Sequence, residues 1–191
     1  MPIISFTAFP QLATARLLLR QPLALDAQQL FELRSHPEVN KYLDRPAPVS
    51  MDDVHRFIDK INTGIAKKEW LYWVIVLQDT DQLIGTVCLW NLSQEKNSAE
   101  IGYELLPNYR GKGFMREAVT PVLRFGFDTM QLSTIEAWTR ADNEASVSLL
   151  KYFHFRLQIH SQNITAGTSP EDPDNMVMYA LSLNNRLPGK H

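Results

Sequence analysis

Apolar residues along this chain change their spacing several times, and each change marks a predicted element. Arg16 to Arg20 reads Arg-Leu-Leu-Leu-Arg, a short first strand that Pro22 breaks. Behind Asp26, residues Ala27, Leu30, Phe31 and Arg34 recur at helical spacing, and Pro37 ends that helix. A loop with Pro46 and Pro48 follows. Ser50 and Asp53 then form the two ends of a capping box, with aspartate in place of the usual glutamate. The helix they open carries Val54, Phe57, Ile58 and Ile61 on one face. Residues 70–77 are almost wholly apolar, as a strand covered on both faces should be. Asp79-Thr80-Asp81 is a turn, and 83–90 is the return strand of a hairpin.

After a polar stretch over 91–97, the pattern predicts a strand over 98–106 and a helix to about residue 130. Met115, Ala118, Val119, Val122 and Gly126 share one face of that helix. Pro121 lies inside it, removing one backbone hydrogen bond and crowding the carbonyl of Glu117, at roughly 3 kcal/mol if nothing relaxes. A kink on the solvent side is expected there. A strand over 134–139, a helix from Asn143 to about Phe153, and strands over 155–164 and 176–183 complete the reading. One domain spans 1–183, and 184–191 is a loose tail. The order of elements is mixed α/β around one sheet: hairpins supply antiparallel pairs, and the strand–helix–strand unit over 98–139 supplies one parallel crossover.

The segment 108–118 carries the most chemistry. It reads Asn-Tyr-Arg-Gly-Lys-Gly-Phe-Met-Arg-Glu-Ala, with Gly111 and Gly113 on either side of Lys112. Strand, glycine turn and helix start make the geometry of an anion cradle. Glycine lets the backbone turn and approach a ligand closely. Free N–H groups at a helix start face negative charge with the helix dipole behind them. A pyrophosphate-bearing cofactor suits such a cradle; a plain strand-to-helix turn is the alternative reading of an isolated Gly-x-Gly. Neither familiar phosphate motif is complete, since Gly113 follows Lys112 and Arg116 stands where a third glycine would.

Composition narrows the class. With 191 residues, 45% of them hydrophobic, the chain can bury a substantial core. The net charge of −2, without clustered Lys or Arg, argues against a dedicated nucleic-acid or membrane-surface binder. Cys88 is the only cysteine and lies in an apolar stretch, which suggests buried filler. The five histidines have no metal-site spacing, so no metal is expected. No signal-peptide pattern or membrane-length apolar run is present, and a cytoplasmic location is expected.

Four stretches in order resemble the GNAT acetyltransferase superfamily, and within it the branch containing ribosomal-protein N-terminal acetyltransferases. The first is 14–20, Thr-Ala-Arg-Leu-Leu-Leu-Arg, with Asp26-Ala27 and His36-Pro37-Glu38-Val39. The second is 99–107, Ala-Glu-Ile-Gly-Tyr-Glu-Leu-Leu-Pro, and the third is 109–115, Tyr-Arg-Gly-Lys-Gly-Phe-Met. The last is Asn143-Glu144-Ala145-Ser146, with Leu149, Leu150, Lys151 and Phe155. The resemblance implies a single GNAT-like domain whose mostly antiparallel central sheet has one parallel strand pair and helices on both faces. It implies acetyl-coenzyme A as co-substrate and an amine acceptor, either a protein N-terminus or a small molecule. It leaves room for a homodimer, and for a non-catalytic coenzyme A-binding module on the same fold. Three positions depart from the family pattern: Asn108 at the start of the loop, His154 where glycine usually caps the last helix, and Leu150 where many members carry a general-acid tyrosine.

In that frame, backbone N–H groups of Arg110, Gly111, Lys112, Gly113, Phe114 and Met115 are the expected pyrophosphate ligands. The Arg110 and Lys112 side chains either add charge or are simply solvated. Leu105 and Leu106 run beside the cofactor, and a backbone N–H near Leu105 is the candidate donor to the thioester carbonyl. Asn143 either contacts the pantetheine arm or caps its helix. Ser146 stands where the branch places a serine beside the sulfur, as proton donor or polar filler. Glu100 and Glu104 are the base candidates, an even number apart on one strand face; an ion pair or an exposed edge would also explain each. Tyr103 points to the opposite face and is expected in the core. Trp138 either lines the substrate groove or packs.

Overall fold

The computed structural model describes residues 8–158 and 175–183. Strands β1 (Leu12–Ala13), β2 (Leu17–Arg20), β3 (Leu71–Leu77), β4 (Leu83–Ser93), β5 (Ser98–Leu105), β6 (Thr134–Arg140), β7 (Arg156–Gln158) and β8 (Met176–Ser182) form one sheet. Their order is β1-β2-β3-β4-β5-β6-β8-β7. Every neighbouring pair is antiparallel except β5 and β6. The helices are α1 (Ala27–Ser35), α2 (Pro37–Asn40), α3 (Met51–Ala66), α4 (Phe114–Arg124) and α5 (Glu144–Tyr152).

The apolar run of β3 is explained by cover on both faces. On one side Val74 and Val76 pack with Leu30 and Leu33 of α1 and Val54 and Ile58 of α3. On the other, Trp73 and Ile75 join Val119 and Val122 of α4 and Leu149 and Leu150 of α5. Trp73 is fully buried and keeps its indole N–H bonded to the Pro10 carbonyl at 2.7 Å, so no polar atom is stranded. Helix α3 starts on the expected capping box. The Ser50 hydroxyl accepts from the Asp53 N–H at 3.3 Å, and the Asp53 carboxylate accepts from the Ser50 N–H at 3.0 Å. At Gly64 of α3 a Cβ would lie 2.0 Å from the Trp70 indole, so only glycine lets that ring cover the helix.

Several expectations change in detail. Pro37 does not simply end a helix; it opens α2, with the His36 ring accepting from the Glu38 N–H at 3.2 Å. Strand β1 was not expected, being too short to show a period. Helix α4 keeps α geometry through Pro121, and the winding changes only afterwards, in a π turn over Phe125–Thr129. The Met130 N–H closes that turn on the Phe125 carbonyl at 3.0 Å. His154 takes a left-handed φ of 63° at the end of α5, the conformation a glycine would otherwise supply. Of the strand expected over 155–164, β7 is the part within the described residues; 159–174 and the tail over 184–191 lie outside them.

Candidate active site

Strands β5 and β6 are in register only from Ser98–Thr134 to Glu100–Glu136. Beyond that, β5 continues against β4 as far as Leu105–Gly85, and β6 continues against β8 as far as Arg140–Met176. The two strands therefore part after Glu100. The Leu106 N–H donates to the Ile84 carbonyl at 2.9 Å, which sets the phase of the β4–β5 ladder. Backbone groups alternate in direction along an antiparallel strand, so Tyr103 and Leu105 send theirs into the gap. A cleft of about 790 Å³ opens there.

The cleft is lined by residues of both faces of β5: Tyr103 and Leu105, on the face packed with α4 and α5, and Glu104, which strand alternation puts on the other. At one mouth stands the glycine turn. Gly111 and Gly113 have φ of 74° and 81°, and Gly113 is the N-cap of α4. The Glu117 N–H reaches back to the Gly113 carbonyl at 3.0 Å, leaving the N–H groups before it without helical partners. No atom lies within 4 Å of where a Cβ of Gly111 would sit, so the turn borders open space. This arrangement fits a diphosphate: amide donors, a helix dipole and room.

Of the residues singled out from sequence, Glu104, Leu105, Arg110, Gly111, Gly113, Phe114, Met115, Asn143 and Ser146 line this cleft. Four do not. Leu106 is buried and its N–H is used by β4, so it has no amide to offer a ligand. Lys112 is exposed, its Nζ 5.8 Å from the Tyr109 ring centre. Glu100 lies where β5 and β6 are still paired, before the gap, and accepts from the Asn91 amide. Trp138 is 43% exposed and shares its sheet face with Glu136 and Glu100.

The side chains in the cleft are already engaged. Both Glu104 oxygens accept from Arg45, at 2.6 and 2.7 Å, so the ion pair allowed for Glu104 on sequence grounds is present. Arg45 is braced in turn by Asn40 at 3.1 Å. The Asn143 side chain accepts from the Ser146 N–H at 3.2 Å, capping α5. Ser146 Oγ and the Tyr103 hydroxyl are 2.8 Å apart. Tyr103 is on the face expected, but that face is the wall of the cleft rather than closed core. Burial pushes its hydroxyl up to about 12, with the bond to Ser146 opposing, so it keeps its proton across the neutral range. Leu150, where a general-acid tyrosine is common, is 2% exposed and part of the core; Tyr152 points outward beneath Arg116. Among the described residues no group of His, Cys, Asp and Glu could hold a metal, and no helix is long and apolar enough to cross a membrane.

Residues 16–156 match the acetyltransferase (GNAT) domain model. The chain belongs to the GNAT acetyltransferase family. The uncharacterized N-acetyltransferase YoaA of Bacillus subtilis strain 168 is 38% identical over 151 residues, covering 78% of this chain and 84% of its own length. Among solved structures, the ribosomal-protein-S5-alanine acetyltransferase of Vibrio fischeri has a similar fold, with a TM-score of 0.73 at 19% identity, covering 94% of this chain and 100% of that one. So does the microcin C7 self-immunity acetyltransferase MccE, solved with acetyl-CoA and AMP, with a TM-score of 0.74 at 21% identity, covering 89% and 94%. This GNAT chain thus has the expected architecture, and its structural neighbours include ribosomal-protein acetyltransferases.

Arg16, Arg45 and Tyr103 are the residues that sequence reasoning missed in and around the site. Arg45 sits in a polar, proline-bearing loop with no period to read. Tyr103 was misplaced because strand parity identifies a face but not whether that face is open.

Proposed function

We propose that this GNAT protein transfers the acetyl group of acetyl-coenzyme A to a primary amine, by direct attack within a ternary complex. The observation that carries the reading is the parting of β5 from β6 beside the Gly111–Gly113 turn, with a cleft lined by residues of both faces of β5. Donor and acceptor can enter from opposite faces and meet in the gap, which supplies proximity. The amides at the start of α4 would hold the diphosphate. Bound there, the thioester supplies the acyl group. The Leu105 N–H is aimed to donate to the carbonyl oxygen as it gains charge. The amine's nitrogen forms the new C–N bond while the C–S bond breaks and the thiolate takes a proton.

Ser146 is the proton donor that the wall of the gap offers, oriented by the Tyr103 hydroxyl. With both Glu104 oxygens bound to Arg45, removal of the amine's proton falls to a water chain, and the Arg45–Glu104 pair shapes the acceptor side. The acceptor we propose is a protein N-terminus or a small amine, reached in the cytoplasm. The test is thiol release from acetyl-coenzyme A with a panel of amines and N-terminal peptides. Turnover on at least one acceptor supports the reading; cofactor binding with no turnover on any would mark a binding module instead. Gly113→Glu, which places a side chain and a negative charge in the cradle, abolishes cofactor binding; unchanged affinity would show the cradle to be misplaced.

A further inference from the structure

Arg16, just before β2, reaches the start of α4. Its Nε donates to Glu117 Oε2 at 2.7 Å, and its Nη2 lies 2.6 Å from a Glu117 oxygen. Nη1 and Nη2 each donate to the Lys112 carbonyl at 3.3 Å. The guanidinium carbon stands 4.2 Å from the centre of the Phe114 ring. The Arg16 N–H and the Thr14 hydroxyl add bonds to Glu117 Oε1, at 2.9 and 2.6 Å. One arginine thus grips the residue between the two glycines and the first turn of the helix that follows.

Glu117 creates the need for this grip. It lies in the first turn of α4, where the dipole stabilises negative charge. Burial opposes its ionisation, but bonds from Thr14 and Arg16 outweigh burial and hold it below the ordinary glutamate range. An ionised carboxylate at this helix start would repel a diphosphate on the same amides. Meanwhile the Lys112 carbonyl belongs to the very turn that must present donors, and a carbonyl facing an anion is repulsive.

Taking the Gly111–Gly113 turn as the diphosphate cradle, we propose that Arg16 is its positioning residue. It cancels the charge of Glu117 and draws the Lys112 carbonyl aside, so that the turn offers N–H groups to the anion. The same guanidinium reaches the rim of the turn, since Arg16 Nη2 lies 3.7 Å from where a Gly113 Cβ would be.

The experiment is calorimetric titration of the full chain with coenzyme A and with pantetheine, which lacks the diphosphate. Arg16→Gln weakens coenzyme A binding about tenfold or more, the scale of one charge-assisted hydrogen bond, and leaves pantetheine binding as in the parent protein. Arg16→Lys, which keeps charge but not the fork, falls between. Adding Glu117→Gln to Arg16→Gln recovers part of the coenzyme A affinity by removing the repulsion. Equal weakening toward both ligands, or none toward either, overturns the role given to Arg16. A parent protein that binds coenzyme A no better than pantetheine would instead overturn the cradle on which the role depends.

Discussion

Replacing Ser146 with alanine separates a chemical role from a structural one. Its Oγ lies 2.8 Å from the Tyr103 hydroxyl in the wall of the gap between β5 and β6. As a wall contact alone, the bond is worth about 0.5–1.5 kcal/mol of stability, and the tyrosine can find water at the cleft instead. As proton donor to the leaving thiolate, the serine should contribute about 10²–10⁴ in rate, or some 3–5 kcal/mol of barrier. The two magnitudes differ enough to decide. We expect kcat of Ser146→Ala to fall by about a hundredfold or more, with the KM for acetyl-coenzyme A within about threefold and the urea midpoint lowered by no more than the bond's worth. Tyr103→Phe should fall less, about tenfold, because it removes only the group that orients the serine. The assay is steady-state thiol release on whichever acceptor turns over. A kcat for Ser146→Ala within about threefold of the parent protein refutes the donor role and leaves the pair a wall contact.

Other predictions concern stability. Asp26 is fully buried, bound by both Nη atoms of Arg20 at 2.7 and 2.8 Å and by the Leu23 N–H at 2.7 Å. Asp26→Ala leaves the half-buried Arg20 without its carboxylate partner and should cost about 3 kcal/mol, read as a lower urea midpoint with an unchanged slope. The Tyr72 hydroxyl is buried beside Thr86 and Arg34 but makes no hydrogen bond of good geometry, so Tyr72→Phe should change stability by no more than about 1 kcal/mol; a larger loss would show a well-bonded hydroxyl. Burial pushes the Cys88 thiol from about 9 up to about 12, with Glu104 adding to it, and Tyr103 from about 10 to about 12. Both groups hold their protons more tightly when folded. Their contribution is therefore complete below pH 9 and is lost as pH rises toward 12; denaturation midpoints across that window should fall, and Cys88→Ala should remove the earliest part of the fall.

Much of the fold was legible because its signals are local. The capping box at Ser50 and Asp53, the wholly apolar β3, the glycine turn and the left-handed His154 each follow from a few neighbouring residues, whose φ/ψ preferences and side-chain period act over one turn or one strand. Departures lie where local signals compete or fade. Pro121 lies inside α4 as expected, and what the pattern did not show is the change of winding to a π turn over Phe125–Thr129. The two-residue β1 has no period to detect.

The chain's spacing alone determined the longer helices and strands, and it marked the glycine turn at the start of α4. Tertiary structure alone decided what that turn faces. The gap exists because β5 and β6 lose register after Glu100, and no feature of either strand announces where two distant segments will separate. The same holds for Arg45 on Glu104, Arg16 on Glu117, and Tyr103 against Ser146, which are 59, 101 and 43 residues apart. Backbone preferences are settled within a few residues, whereas charge pairing and access depend on which surfaces the fold brings together.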